Sequence, residues 1–287
     1  GNLFVQADGT ITDMRARVLT DFAPRTRSEL ITLGAFLRMS ENAQSSADFD
    51  QSGALVEHFE VRTFDLPCSR NQLDKLGKRM RDSATFTQSD LALWSEIVIA
   101  YLQTLTEAEK VITRIVERAE REWGVPFFVT VRPKITRTII EKLRRENGMA
   151  LKGIQDIAGA RITADISRRQ QDALARRIAV AFASLGRQPR MVDRRSESMH
   201  GYRAVHVVVH LGDIPVEVQL RTKDQDAWAQ VLEKVAGRWG RDIRYGGLPT
   251  EPHLLVAGQI SRAAWVEKMK ALSAAAEELD KLEASSS

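Results

Sequence analysis

The segment Pro215-Val216-Glu217-Val218-Gln219-Leu220-Arg221 constrains the fold more than any other, because alternation sustained over these positions suits a strand and no helix. Val216, Val218 and Leu220 take one face, and Glu217, Gln219 and Arg221 take the other. Gly212-Asp213 just before it reads as a tight turn, and Tyr202 to Leu211 as the preceding strand, with Tyr202, Ala204, His206 and Val208 on a shared face. A two- or four-residue turn sets Val208 opposite Glu217 and His206 opposite Gln219. One sheet face then collects a phenol, an imidazole, a carboxylate, an amide and a guanidinium. On a half-exposed antiparallel sheet this is an ordinary polar outer face. Under covering helices it is a site, because buried polar groups without a purpose are costly.

The rest of the chain supplies those helices. Ser69 with Gln72 forms a capping-box start for a short helix ending near Asp82, and Thr87 with Asp90 a second start. After it, apolar residues from Leu91 through Trp94, Ile97, Tyr101, Leu105, Ile112 and Ile115 to Trp123 recur at helical spacing up to Gly124, which predicts one long amphipathic helix. Beyond Pro126 the period changes. Strands are expected at Phe127 to Val131, Ala160 to Ala164 and around Met191, and helices at Ile135 to Arg145, Arg168 to Ser184, Asp224 to Trp239 and Leu254 to Leu282. Ile135, Ile139 and Leu143 are expected on the buried stripe of the first of these helices. The fold class is therefore α+β: a mixed sheet of about five strands flanked by helices, with helical N- and C-terminal extensions. The expected organisation is an N-terminal extension or linker over 1–65, partly flexible and with a polar stretch at Ser40 to Ser52, a central domain over 66–250, and a C-terminal helix and tail over 251–287. No internal repeat is visible. The chain begins without methionine, as a fragment would, and Ser285-Ser286-Ser287 reads as a frayed tail.

Composition excludes several classes. Hydrophobic residues at 43% and charged residues at 28% match a soluble globular protein, not a collagenous or disordered one. Neither a membrane span nor a signal peptide is present in the sequence, which points to a cytoplasmic protein with no membrane partner. The single cysteine, Cys68, and five scattered histidines offer no zinc-type cluster. The net charge of +4 conceals an uneven distribution: Arg132 to Arg195 holds sixteen Lys/Arg against six Asp/Glu, which leaves the rest of the chain acidic. Such a basic middle suits a strongly anionic ligand, with nucleotide polyphosphates and nucleic acid the two candidates, unless it is only a set of solvated helix faces.

Two further constellations lie in that basic region. Lys134, Thr138 and Lys142 recur every four residues along one side of a helix and its entry, behind Arg132-Pro133. Cations and a hydroxyl beside a helix N-terminus suit phosphate oxygens. In Ile154-Gln155-Asp156-Ile157-Ala158-Gly159-Ala160-Arg161, an odd separation puts Asp156 and Arg161 on opposite faces of a straight strand. Both reach one site only if Asp156 sits on a preceding turn and Gly159 bends the chain into the strand; Asp156 could then join Glu217 around a divalent cation.

In this order, R-P-K-x3-T-x3-K, D-I-A-G-A-R, H-G-Y-R-A-V-H, V-E-V-Q-L-R-T, D-x-W-A and I-R-Y-G-G resemble the synthetase domain of RelA/SpoT-type alarmone synthetases, the small single-activity members above all. The resemblance spans roughly Leu66 to Gly247. It implies a nucleotidyltransferase-like fold and transfer of a pyrophosphoryl group from ATP to the ribose 3′-hydroxyl of GDP or GTP, with GMP a further acceptor. By position, Arg132 and Arg161 would sandwich the donor adenine, and Lys134, Thr138 and Lys142 would hold the donor phosphates. Asp156 and Glu217 would be the catalytic pair and would bind Mg²⁺. Tyr202 would stack on the acceptor base, and His206, Gln219 and Arg221 would orient acceptor and phosphates. Glu217 is also placed to draw the proton from the 3′-hydroxyl, although a coordinated metal would make it a poor base, so its metal role is expected to dominate.

The sequence departs from the family pattern at Ser198 and His200, where members commonly carry a lysine and a small amide or hydroxyl; Arg194 and Arg195 are candidates for the replacement charge. No His-Asp doublet occurs, so the hydrolase domain of the bifunctional relatives is not expected, and the length leaves no room for their large C-terminal regulatory region. Two other functions stay open: transfer to an adenine nucleotide or to the 3′-CCA end of tRNA, and a catalytically silent RNA-binding or interaction module. RNA, tRNA and a second copy of the chain are the macromolecular partners left open, with the helix from Leu254 packing either on the catalytic domain or between subunits.

Overall fold

The computed structural model describes residues 59–286 apart from 147, 197 and 199, together with four short strands among the first 58 residues. The chain divides into two units, Gly1–Glu60 and Val61–Ser287. In the first, β1 (Leu3–Val5) pairs antiparallel with β2 (Ile11–Asp13), and β3 (Ala47–Phe49) with β4 (Leu55–Glu57). Apart from β3, the polar stretch at 40–52 lies outside the described residues.

The second unit is built on a mixed sheet in the order β5-β6-β9-β8-β7. Its strands are β5 (Phe127–Pro133), β6 (Ala158–Ala164), β7 (Arg190–Asp193), β8 (Val205–Leu211) and β9 (Ile214–Thr222). β6 and β9 run parallel, and the other three pairings are antiparallel. This is the five-stranded, helix-flanked α+β arrangement that the alternation of periods predicts.

The helices begin where side chains can satisfy free backbone N–H groups. α1 (Arg70–Arg81) and α2 (Gln88–Trp123) start at the Ser69/Gln72 and Thr87/Asp90 capping boxes. α2 stops at Gly124, whose φ of 64° suits a left-handed cap. α3 (Thr136–Arg145) lacks such a cap, but the Trp94 indole donates to Thr136 Oγ1 at 2.9 Å and ties its first turn to α2. α4 (Arg168–Ala183) and α5 (Lys223–Trp239) start at two more boxes, Ser167/Gln170 and Thr222/Gln225.

One sheet face buries an apolar set: Ala160, Ile162, Val207, Val209, Val216, Val218 and Leu220. α2 and α4 pack against the sheet. The other face carries the polar residues, so the strand alternation sorts core from site.

Several ends shift by one or two residues from the sequence reading, and three features depart further. β8 begins at Val205, not Tyr202, because His200 and Gly201 take positive φ values of 56° and 90° and put Tyr202 on a turn ahead of the strand. Ile135 is exposed instead of joining the buried stripe of Ile139 and Leu143, because it caps α3 from outside the helix. The last helix, α6 (Arg262–Ser286), starts eight residues later than Leu254, because a small antiparallel ladder of β10 (Leu255–Val256) and β11 (Ile260–Ser261) precedes it. α6 packs on α4 and α5. No helix among the described residues is long and apolar enough to cross a membrane.

Candidate active site

The register assembles the site. Arg132 pairs with Gly159, Gly159 with Glu217, and Glu217 with Val208; one row along, Thr130, Arg161, Gln219 and His206 lie side by side. Residues paired directly across a sheet share a face, so Arg132, Arg161, Glu217, Gln219, Arg221 and His206 all project from one side. The pairings of Val208 with Glu217 and His206 with Gln219 are those the alternation and the short Gly212-Asp213 turn predict.

Asp156 lies on the turn before β6, as a shared site requires, but Gly159 does not bend the chain. It sits inside an unbroken ladder, paired on both sides. A Cβ there would press on the Arg132 carbonyl at 3.3 Å, so the glycine serves the close approach of the strands. Lys134 and Lys142 both reach Asp156: Lys134 Nζ bonds Oδ2, and Lys142 Nζ bonds Oδ1 at 3.2 Å. Burial pushes the Asp156 carboxyl up, but the two lysines outweigh it and hold it below the ordinary carboxylate value. Thr138 on the same helix turns its hydroxyl to the Ile135 carbonyl at 2.8 Å.

On the neighbouring strands a closed ring of hydrogen bonds forms. Arg221 donates to the Tyr202 hydroxyl at 3.1 Å and to Gln219 Oε1 at 3.2 Å. Gln219 Nε2 donates to Glu217 Oε2 at 2.9 Å. His206 joins the ends, with Nδ1 3.1 Å from Glu217 Oε1 and Nε2 2.9 Å from the Tyr202 hydroxyl. Arg221 donates to the Tyr202 oxygen, so the phenol keeps its own proton to offer His206 Nε2 in the tautomer whose Nδ1–H faces Glu217. Burial raises the Glu217 carboxyl, the His206 and Gln219 contacts more than offset it, and the charge of Asp156 works against them. The two carboxylates are therefore both ionised at neutral pH and near enough to repel one another. The Tyr202 phenol is pushed up by burial.

Two arginines complete the face. Arg161 and Arg221 both approach Asp226 Oδ1, at 3.9 and 2.9 Å. Burial, then the charge of Arg221, draws Arg161 below its usual value, and its Nε is buried with no hydrogen-bond partner. Arg132 is exposed and near enough for its charge to act on Arg161. Asp226 is the residue that sequence reasoning left without a role; the D-x-W-A motif at Asp226-Ala227-Trp228-Ala229 is the signal that marked it. Arg195 is no replacement charge for the acceptor: its side chain is buried and spent on Asp193, Asp172 and Gln171. His200, at the other departure, places its imidazole against Gly246, which leaves no space for a Cβ there.

A family profile described as a region found in RelA / SpoT proteins matches residues 131–236. The chain also aligns with an uncharacterized protein of Mycobacterium tuberculosis and one of Mycobacterium bovis, each 37% identical over 196 residues, covering 68% of this chain and 67% of the relative. This chain belongs to the RelA/SpoT family. The matched stretch contains all of the sheet except part of the first strand, and every residue of the ring and of the lysine–aspartate cluster. Among solved structures, the small alarmone synthetase 1 from Bacillus subtilis is similar at 22% identity and a TM-score of 0.49, covering 67% of this chain and 94% of that one. The same enzyme bound to its product pppGpp is similar at 24% identity, with coverage of 67% and 95% and a TM-score of 0.49.

Proposed function

We propose that this member of the RelA/SpoT family is a pyrophosphotransferase that moves the β,γ-diphosphate of ATP to the 3′-hydroxyl of GDP or GTP. One observation carries the reading: two ionised carboxylates from separate segments, Asp156 and Glu217, lie within reach of each other's charge, with Lys134 and Lys142 on one side and the Tyr202–His206–Gln219–Arg221 ring on the other. Phosphoryl transfers ask little covalent chemistry of a protein, so positioning and charge neutralisation supply most of the rate.

In this reading the donor lies over β5, β6 and α3. Lys134 and Lys142 exchange part of their contact with Asp156 for phosphate oxygens. Arg132 and Arg161 hold the adenine between them; the unpartnered Nε of Arg161 and its weakly hydrated plane suit this use. Thr138 sits on the first turn of α3, beside backbone N–H groups that can donate to phosphate oxygens. The acceptor lies over β8 and β9, its base against Tyr202 and its 3′-hydroxyl toward Glu217. The hydroxyl oxygen attacks the β-phosphorus, the bond from that phosphorus to the oxygen bridging the α- and β-phosphates breaks with its electron pair staying on the AMP that leaves, and the hydroxyl proton is released to water. Glu217 orients the 3′-hydroxyl, while His206 and Gln219 fix the carboxylate in place.

Among the described residues no three His, Cys, Asp or Glu side chains gather as a ready-made metal cage. Mg²⁺ needs no such cage, since it is commonly held by one or two carboxylates with phosphate oxygens and water. Asp156 and Glu217 fit that donor set and would hold it. When bound, the ion would neutralise charge on the phosphates.

The test is incubation of the full chain with labelled ATP and, separately, GDP, GTP, GMP, ADP or bulk tRNA. Label on a guanine nucleotide, with release of AMP, is the expected result. Label on ADP or tRNA would move the acceptor to the adenine or RNA class, and no transfer to any of them would leave a silent binding module.

A further inference from the structure

The family match ends at residue 236, yet the turn bearing Tyr202 is fastened from beyond it. Met269, Ser273 and Glu277 recur every four residues on α6 and so share one face of that helix. Ser273 Oγ donates to the Gly201 carbonyl at 2.6 Å, and Arg203 Nε reaches both the Ser273 carbonyl and hydroxyl at 3.1 Å. Glu277, only 2% exposed, bonds Arg168 at the start of α4 and lies 3.9 Å from Arg203. The Trp228 indole donates to the Met269 carbonyl at 2.7 Å. Gly201 is caught between these parts: a Cβ on it would lie 2.6 Å from the Trp228 ring and 3.3 Å from the Lys270 backbone. Both chain neighbours of Tyr202 are thus held by α6, and the helix itself is anchored to α4 and α5.

We infer that Ser273 and Glu277 are positioning residues for the acceptor half of the site, acting through Gly201 and Arg203 to set Tyr202 in the ring with His206, Glu217, Gln219 and Arg221. A buried carboxylate that serves two arginines is an expensive way merely to attach a helix, since apolar packing attaches helices without desolvating charge. Here the charge fixes a turn whose backbone already holds positive φ at His200 and Gly201. The contacts of Lys134 and Lys142 with Asp156 involve none of these residues. The acceptor part of this inference rests on the proposed pyrophosphotransferase reading; the positioning part does not.

Two measurements on the Ser273→Ala and Glu277→Gln variants of the 287-residue chain separate the parts. The first is amide hydrogen exchange. Faster exchange at 200–204, with 134–142 unchanged, is expected for both variants; no change, or a change spread over the whole unit, overturns the positioning role. The second is steady-state kinetics with the acceptor found in the label-transfer experiment. Losing one partner of a buried polar pair corresponds to about a tenfold rise in acceptor KM, with KM for ATP within about twofold. Equal effects on both substrates, or none, overturn the acceptor role. Leu279→Ala, an exposed residue of the same helix, is the control that leaves both readouts unchanged. If Glu277→Gln does not fold, Ser273→Ala alone decides. Failure of every acceptor to take label counts against the proposed activity and leaves the exchange result to decide the positioning.

Discussion

The two halves of the site are built differently. The half around Asp156 draws on neighbours in sequence: Arg132 through Arg161 supplies every residue of it, and its lysines neutralise a single carboxylate. The half around Glu217 draws on a turn, two strands, the start of α5 and the distant α6, and its groups bond one another in a closed ring. The first is a cluster of cations that can trade one anion for another. The second is already committed to a geometry. Under the proposed reaction the contrast is expected: a polyphosphate chain is flexible and highly charged, so cations suffice to bind it, whereas a ribose hydroxyl must be aimed and so needs preorganisation.

The sharpest way to break this contrast is Glu217→Gln, which removes charge from the committed half while keeping the shape. Transfer should fall about a thousandfold, the upper range for one electrostatic group at a reacting centre. Measured kcat is the check, with the circular dichroism spectrum unchanged. Next in size is Lys142→Ala on the exchangeable half. A loss of about a hundredfold in kcat/KM for ATP is expected, with the acceptor KM little changed, because only the donor side loses a cation. A smaller effect should follow Tyr202→Phe, which keeps the ring for stacking and opens the hydrogen-bonded circuit. The acceptor KM should rise about tenfold and KM for ATP stay within about twofold. If Lys142→Ala raised the acceptor KM, or Tyr202→Phe the ATP KM, the division would be wrong.

The smallest effect lies outside both halves. Asp90 at the start of α2 is held down to about 2 by Arg79, with help from the Thr87 backbone, against an ordinary value of 3.8. Its folded pKa is below its unfolded one, so its contribution to stability is complete above the unfolded value and disappears as pH falls through the folded one. Thermal unfolding of Asp90→Asn against wild type should show a difference at neutral pH that closes as pH is lowered toward 2.

What could be read in the sequence follows the same division. The grouping of the Asp156 half was legible because residues 132–161 carry all of it, on two strands, a turn and one short helix; that Lys134 and Lys142 bond Asp156 itself is seen only in the fold. The pairing of His206 with Gln219 was legible too, because the two-residue loop between Leu211 and Ile214 fixes the register of the hairpin. Asp226 went unassigned because its meeting with Arg161 and Arg221 depends on how α5 leaves β9, which no local pattern encodes. Arg195 looked available because a run of arginines in sequence says nothing of which one turns inward; Asp172, on a helix more than twenty residues away, decides it. Ser273 and Glu277 lie in an Ala-, Glu- and Lys-rich helix whose composition suits an exposed surface equally well. Only the packing of α6 against the Tyr202 turn distinguishes them.

In the proposed reaction Asp156 and Glu217 act as a unit although separate segments carry them. Single-turnover transfer of labelled diphosphate by Asp156→Asn, Glu217→Gln and the double variant decides whether they do. Groups that act as a unit lose little more together than either loses alone, and that is the predicted result. Losses that multiply in the double variant, or a single variant that transfers at the wild-type rate, would contradict it.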